Sequence, residues 1–217
     1  MRILLIADEE CRYYWDHFQR GRLDGIDLII SSGDLKPEYL TFLVTMGRAP
    51  LLYVHGNHDT NYNRKPPEGC ISLEDRIVVV GGLRILGLGG CPTYSGGPYQ
   101  YTERQMRKRI RKLRYQLWFH RGVDIVVTHA PVKGYGDGPD YAHRGFEAFL
   151  ELLDRYKPKY LFHGHVHMRY GSDIQRVYHH GETTIINACE RYILDLPEYV
   201  VDRYVDIREK ENIFQRH

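Results

Sequence analysis

Five apolar runs in this 217-residue chain end on side chains that bind metal ions or move protons. The runs are ILLIA before Asp8, LIISSG before Asp34, LLYVHG before Asn57-His58-Asp59, IVVT before His129, and YLFHG before His165-Val166-His167. Taken singly, each has a local explanation: Asp after a strand caps the next helix, and Gly-Asn and Gly-Asp make turns. Turn chemistry does not call for histidine at the ends of two separate strands. Carboxylate and imidazole together are a donor set for divalent transition metals. In open α/β sheets, ligands bind outside the carboxyl ends of the strands, so the five endings are expected to meet in one crevice. Gly164-His165-Val166-His167 is the sharpest piece, because alternate residues on extended backbone share a face.

The elements that must position these residues follow from periodicity. Strands are expected over residues 2–7, 27–32, 51–55, 124–128 and 159–163. Residues 77–80 and 83–88 flank Gly81-Gly82, a two-residue hairpin turn. Helices are expected over about 37–46, with proline in the first turn, over 102–120, and over 145–156, stopped by Pro158. Thr102 followed by Gln105 is a capping box. From Gln175 onward the pattern is strands without helices, with a turn at 179–182, which suggests a second, partly antiparallel sheet. No repeat or linker divides the chain, so residues 1–217 read as a single α/β domain.

The motif set resembles that of the calcineurin-like metallophosphoesterases, whose pattern is D-x-H, G-D, G-N-H-D/E, a lone H after a strand, and G-H-x-H. Here these are Asp8-Glu9-Glu10, Gly33-Asp34, Gly56-Asn57-His58-Asp59, His129 and Gly164-His165-Val166-His167, in family order. The resemblance implies a four-layer α-β-β-α sandwich of two mixed sheets flanked by helices. It implies a single metal-dependent phosphoesterase domain acting on a phosphodiester or phosphomonoester by in-line attack of a metal-bridging hydroxide. By position, Asp8, Glu10, Asp34 and His167 would hold one metal; Asp34, Asn57, His129 and His165 would hold the other. His58 would be the catalytic residue that stabilises the transition state or protonates the leaving oxygen.

Glu10 stands where the family has histidine. It remains a ligand through its longer side chain, or it has left the shell, or Glu9 has replaced it. Strand alternation puts Asp8 and Glu10 on one face if the backbone stays extended, which favours Glu10. A third carboxylate would lower the formal charge of the two-metal centre and favour Mn²⁺ or Fe over Zn²⁺.

Composition sets the remaining bounds. Hydrophobic residues are 42% and charged residues 27%, which fits a globular chain and excludes a disordered one. No apolar run spans a bilayer, and Asp8 comes too early for a signal peptide, so no membrane partner and a cytoplasmic location are expected. The four cysteines form no C-x-x-C pair and read as buried thiols. Residues 103–121 carry +7 within a chain of net charge +2. That segment is an amphipathic helix with a solvated basic face, or a surface for nucleic acid, although no nucleic-acid motif accompanies it. The glycine-rich loop after His129 leads to His143 and Arg144, which are candidate phosphate-binding residues or a solvated helix cap. His55 and His163 either support the ligands or, the favoured reading, are packed, hydrogen-bonded histidines, and His17, His120, His179, His180 and His217 read as surface or structural. A scaffold protein that kept the fold, a metal sensor and a nuclease using the basic helix are the competing readings.

Overall fold

Burial on both faces of the strands dictates the layering. In Arg2–Ile6 (β1), Ile3 and Leu5 face one side and Leu4 and Ile6 the other, and none of the four touches solvent. Such strands must be covered twice. The computed structural model describes residues 1–168 and 175–196. Its further long strands are β2 (Leu28–Ser31), β3 (Leu51–Tyr53), β4 (Ile71–Ser72), β5 (Ile77–Val80) and β6 (Leu83–Leu88). After the short pair β7 (Cys91–Pro92) and β8 (Gln100–Tyr101) come β9 (Ile125–Thr128), β10 (Tyr160–His163), β11 (Val177–His180), β12 (Thr183–Asn187) and β13 (Tyr192–Asp195). One sheet has the order β13-β1-β2-β3-β4 and the other β11-β12-β10-β9-β6-β5. Their interiors are parallel; β13, β11 and β5 are antiparallel edges.

The sheets stack through Ile3, Leu5 and Ile30 against Ile125, Val127, Phe162 and Ile186. The outer face of the first sheet, with Leu4, Ile6 and Ile29, is closed by Tyr39, Leu40 and Leu43 of α1 (Pro37–Gly47). The outer face of the second, with Leu86, Val126 and Leu161, is closed by α2 (Glu103–Lys112), α3 (Arg114–Phe119) and α4 (Glu147–Tyr156). Met106, Leu117, Phe149 and Leu153 fill that layer. The result is the expected four-layer α-β-β-α sandwich. Among the described residues, no helix is long and apolar enough to cross a membrane.

The hairpin at Gly81-Gly82 forms as expected, with Val80 paired to Leu83. So does the capping box: the Thr102 hydroxyl accepts from the Gln105 N–H at 3.3 Å, and the Gln105 side chain accepts from the Thr102 N–H at 2.7 Å. Three expectations shift. The helix over 102–120 divides at Leu113, whose N–H bonds to the Ile110 carbonyl and tightens the turn. That break buries Leu113 and Leu117 while Tyr115, Trp118 and Phe119 face solvent. The turn expected at 179–182 is only Gly181-Glu182, because His180 pairs with Thr183. The last strands do not form a sheet of their own: β11 and β12 extend the sheet of β9 and β10, and β13 crosses to pair with β1. His217 lies outside the described residues.

Candidate metal centre

The carboxyl ends of β1, β2, β9 and β10, with the loop after β3, meet at one point between the sheets. Tight turns follow at once: Asp8, Asp34 and His165 all have positive φ, at 63°, 58° and 69°. Non-glycine residues seldom adopt that region, and where they do it is often at functional sites. Gly56 permits the approach of the β2 and β3 loops, because a Cβ there would lie 1.9 Å from Asp34 Oδ1. Gly164 does the same between β10 and β1, where a Cβ would lie 2.8 Å from Asp8 Oδ2.

Asp34, His129 and His165 offer ligand atoms that all lie within 4.8 Å of one another. His129 Nδ1 donates to the Ser32 carbonyl at 2.8 Å, so in the neutral ring Nε2 carries the lone pair. That Nε2 sits 3.0 Å from Asn57 Oδ1, 3.3 Å from Asp34 Oδ2 and 3.1 Å from His165 Nδ1. His165 Nε2 faces the Ala142 carbonyl at 2.8 Å and must carry that ring's proton, which leaves Nδ1 bare as well. Four electron-pair donors therefore point at one another in a buried place. Only positive charge satisfies such a set, and the donors are those of a transition-metal site.

The electrostatics agree. Burial pushes the His129 pKa down, yet the carboxylates of Asp34 and Asp8 outweigh it and raise it to about 9. Asp34 shows the reverse: burial pushes it up, but His129 and the His58 N–H hold it at about 2. Burial raises Asp8 to about 6, against the pull of His129; both its oxygens accept the His165 N–H, at 2.9 and 3.0 Å.

Three contacts brace the cluster from behind. The Asp59 carboxylate accepts from the Asp34 N–H at 2.8 Å and the Gly56 N–H at 2.7 Å, locking the two loops together. The Tyr94 hydroxyl accepts from Asn57 Nδ2 at 3.1 Å, which turns the amide oxygen inward. Glu74 accepts the His55 N–H at 2.7 Å, and the His55 ring stacks on Tyr99 with centroids 4.7 Å apart. His55 thus packs away from the cluster. Asp59, as the last residue of its motif, and His55, at the end of its strand, carried a signal in sequence; Tyr94 and Glu74 carried none.

The first-metal residues lie differently from the alternation reading. The strand ends before Asp8, and the left-handed turn there removes the premise that residues 8 and 10 share a face. Glu10 points at Lys36, 3.2 Å away. It is Glu9 whose carboxylate meets His167 Nδ1, at 3.0 Å, and these two form a second metal-capable group with Cys189. The structure brings His58 to the rim, with its backbone N–H on Asp34 Oδ1. His143, held by Asp140 at 2.8 Å, places its ring 5.4 Å from that of His165. Arg144 stacks over Tyr141 and lines a separate cavity of about 290 Å³ with Thr93, Tyr101 and Lys133.

The sequence profile of the calcineurin-like phosphoesterases matches residues 1–169. The chain belongs to this family. Among curated relatives it is 26% identical over 194 residues to the UPF0046 protein K07C11.7 of Caenorhabditis elegans, covering 76% of this chain and 62% of that protein. It is 28% identical over 204 residues to the human metallophosphoesterase domain-containing protein 1, covering 75% of this chain and 59% of that one. It therefore spans only part of these relatives. Among solved structures, one matches with a TM-score of 0.66 at 15% identity, covering 89% of this chain and 94% of the other. The protein TT1561 of Thermus thermophilus matches with 0.54 at 14% identity, covering 96% and 95%. At such identities the likeness is one of fold. Within that fold the chain passes from α3 into the amino end of β9, whereas the metal-capable groups gather at the carboxyl ends of the strands.

Proposed function

We propose that this chain is a two-metal phosphoesterase that hydrolyses a phosphodiester or phosphomonoester. The observation that carries the reading is the convergence of Asp34 Oδ2, His129 Nε2, Asn57 Oδ1 and His165 Nδ1. Asp34, Asn57, His129 and His165 would hold one ion, and Asp8, Asp34 and His167 with a glutamate would hold the other. Bound there, the two ions supply an acidified water as nucleophile and neutralise charge on the phosphoryl group.

The chain's own residues do the rest. The Ser32 and Ala142 carbonyls fix the tautomers of His129 and His165, and Tyr94 fixes the amide of Asn57. His58 stands exposed at the rim with its backbone anchored on Asp34, where its ring can protonate the leaving oxygen. His143 adds a donor beside His165 for a phosphoryl oxygen. A nuclease that uses the basic helix has no specific observation in its favour, and two of that helix's arginines, Arg107 and Arg109, are already paired with acids of the fold.

The test pairs metal analysis with hydrolysis of p-nitrophenyl phosphate and bis-p-nitrophenyl phosphate. Two transition-metal ions per chain and turnover of either ester are expected. His58→Ala should slow turnover by about 10²- to 10⁴-fold with metal content unchanged. Two bound ions without turnover of any ester would identify a scaffold or sensor, and a folded chain that takes up no metal would end the reading.

A further inference from the structure

We propose that Cys189 is a thiolate ligand of the ion assigned to Asp8, Asp34 and His167, with Glu9 as the glutamate of that site, and that Glu10 stands outside the coordination shell. This rests on the two-metal reading and goes beyond it, because neither Glu9 nor a cysteine belongs to the motif pattern that carries the resemblance.

Ligand atoms of Glu9, His167 and Cys189 all lie within 4.8 Å of one another. Cys189 is 2% exposed and forms a β-bridge to Ala7, which sets its side chain beside the turn that carries Asp8 and Glu9. The buried Asn187 side chain holds that position from two directions. Its Oδ1 accepts the Cys189 N–H at 2.8 Å, and its Nδ2 donates to the Val166 carbonyl at 2.8 Å. The thiol is thereby tied to the turn bearing His165 and His167. The Glu190 N–H bonds to the Ala7 carbonyl at 2.9 Å, so the crossing from β12 to β13 is clamped across β1 at this point. Glu10 makes its ion pair with Lys36 instead.

Carboxylate, imidazole and thiolate are a recurrent donor set for Zn²⁺. A coordinated thiol gives up its proton, so with Glu9 in place of Glu10 the centre carries one more negative charge than the three-carboxylate alternative and also becomes softer. Preference then turns towards Zn²⁺ and Co²⁺ and away from Mn²⁺, the reverse of the Mn²⁺-over-Zn²⁺ order that Glu10 would impose. The other cysteines cannot mimic the signal: among the described residues, Cys11, Cys70 and Cys91 belong to no metal-capable group.

The experiment is cobalt substitution of the metal-stripped full chain, with metal stoichiometry and absorption read on the same sample. The expected result is two Co²⁺ per chain with a near-ultraviolet thiolate-to-cobalt band. That band should be lost in Cys189→Ser and kept in Cys91→Ser. Because a buried Cys→Ser change can disturb folding, Cys189→Ala is read alongside, and absence of the band in the wild type is decisive without either variant. In competition, Zn²⁺ should displace Mn²⁺ from the wild type at least tenfold better than from Cys189→Ala. Cobalt bound without a thiolate band, or a band that survives in Cys189→Ala, would overturn the proposal while leaving the two-metal reading intact. No cobalt bound by the folded chain would overturn both.

Discussion

Arg109 lies in the most basic stretch of the chain but is 9% exposed and bonded on every side. Its Nη2 donates to Glu74 Oε2 at 2.8 Å, its Nη1 to the Gly89 carbonyl at 2.7 Å and its Nε to Asp75 at 2.9 Å, while the guanidinium sits over the Tyr101 ring. Glu74 in turn holds the His55 backbone, two residues before Asn57. Replacing Arg109 by methionine keeps the packing stem and strands the Glu74 carboxylate. Removing one partner of a buried pair costs about 3–5 kcal/mol. The Glu74 side chain retains 23% exposure, which screens part of the charge and places the cost near the lower end, about 3 kcal/mol. At roughly 2–4 °C per kcal/mol for a chain of this size, Tm should fall by about 6–12 °C.

The pH dependence carries a sign. Burial pushes the Glu74 pKa up, but His55 and Arg109 outweigh it and hold it below the usual carboxylate range. In the wild type that stabilisation is present above the unfolded value, about 4.3, and is lost as pH falls through the folded value. Without Arg109 the Glu74 pKa rises, so protonation relieves the stranded charge and the deficit at pH 5 should be smaller than at pH 7. Adding Glu74→Gln should return at least half of the loss in a double-mutant cycle by calorimetry. A Tm within about 2 °C of wild type, or an equal deficit at both pH values, would refute the reasoning.

Arg84 donates to Asp124 at 2.6 and 2.8 Å and to the carbonyls of His120 and Arg121 at the end of α3. Arg84→Met should cost about 2 kcal/mol in urea unfolding at pH 7. Asp124 is pushed up by burial but held below its ordinary value by Arg84, so the cost should shrink as pH falls below about 3.9 and the carboxyl protonates. Tyr94→Phe frees the Asn57 amide and should weaken metal binding by roughly 10- to 100-fold in chelator competition, with Tm little changed because Tyr94 is 37% exposed. The His58→Ala result, slow turnover with full metal content, separates the role of that ring from the roles of the ligands.

Much of the centre was legible in the chain because a strand broadcasts its end. The apolar alternation of β1, β2, β9 and β10 stops where a carboxylate or imidazole begins, and parallel strands bring such ends to one side of a sheet. That reading reached Asp8, Asp34, Asn57, His129 and His165, and the stacking of Ile3 and Leu5 against Ile125 and Val127 then joined the two sheets' ends. The hairpin at Gly81-Gly82 and the Thr102–Gln105 cap were equally readable, since both are set by contacts within a few residues.

What the sequence left undecided was the direction of the backbone after each strand and the particular side chains that meet across the fold. Alternation at residues 8 and 10 presumed an extended backbone, and the positive φ of Asp8 aimed Glu9 at His167 instead. Cys189 carries no motif in sequence; its bridge to Ala7, 182 positions away in the chain, is what brings it beside Glu9 and His167. Arg109 looks like its basic neighbours along the chain and differs only because its turn of helix α2 faces Glu74. Local sequence selects strands, caps and turns through interactions a few residues long. Which acid faces which histidine, and which arginine is buried, is decided where distant segments compete for the same few ångströms of space.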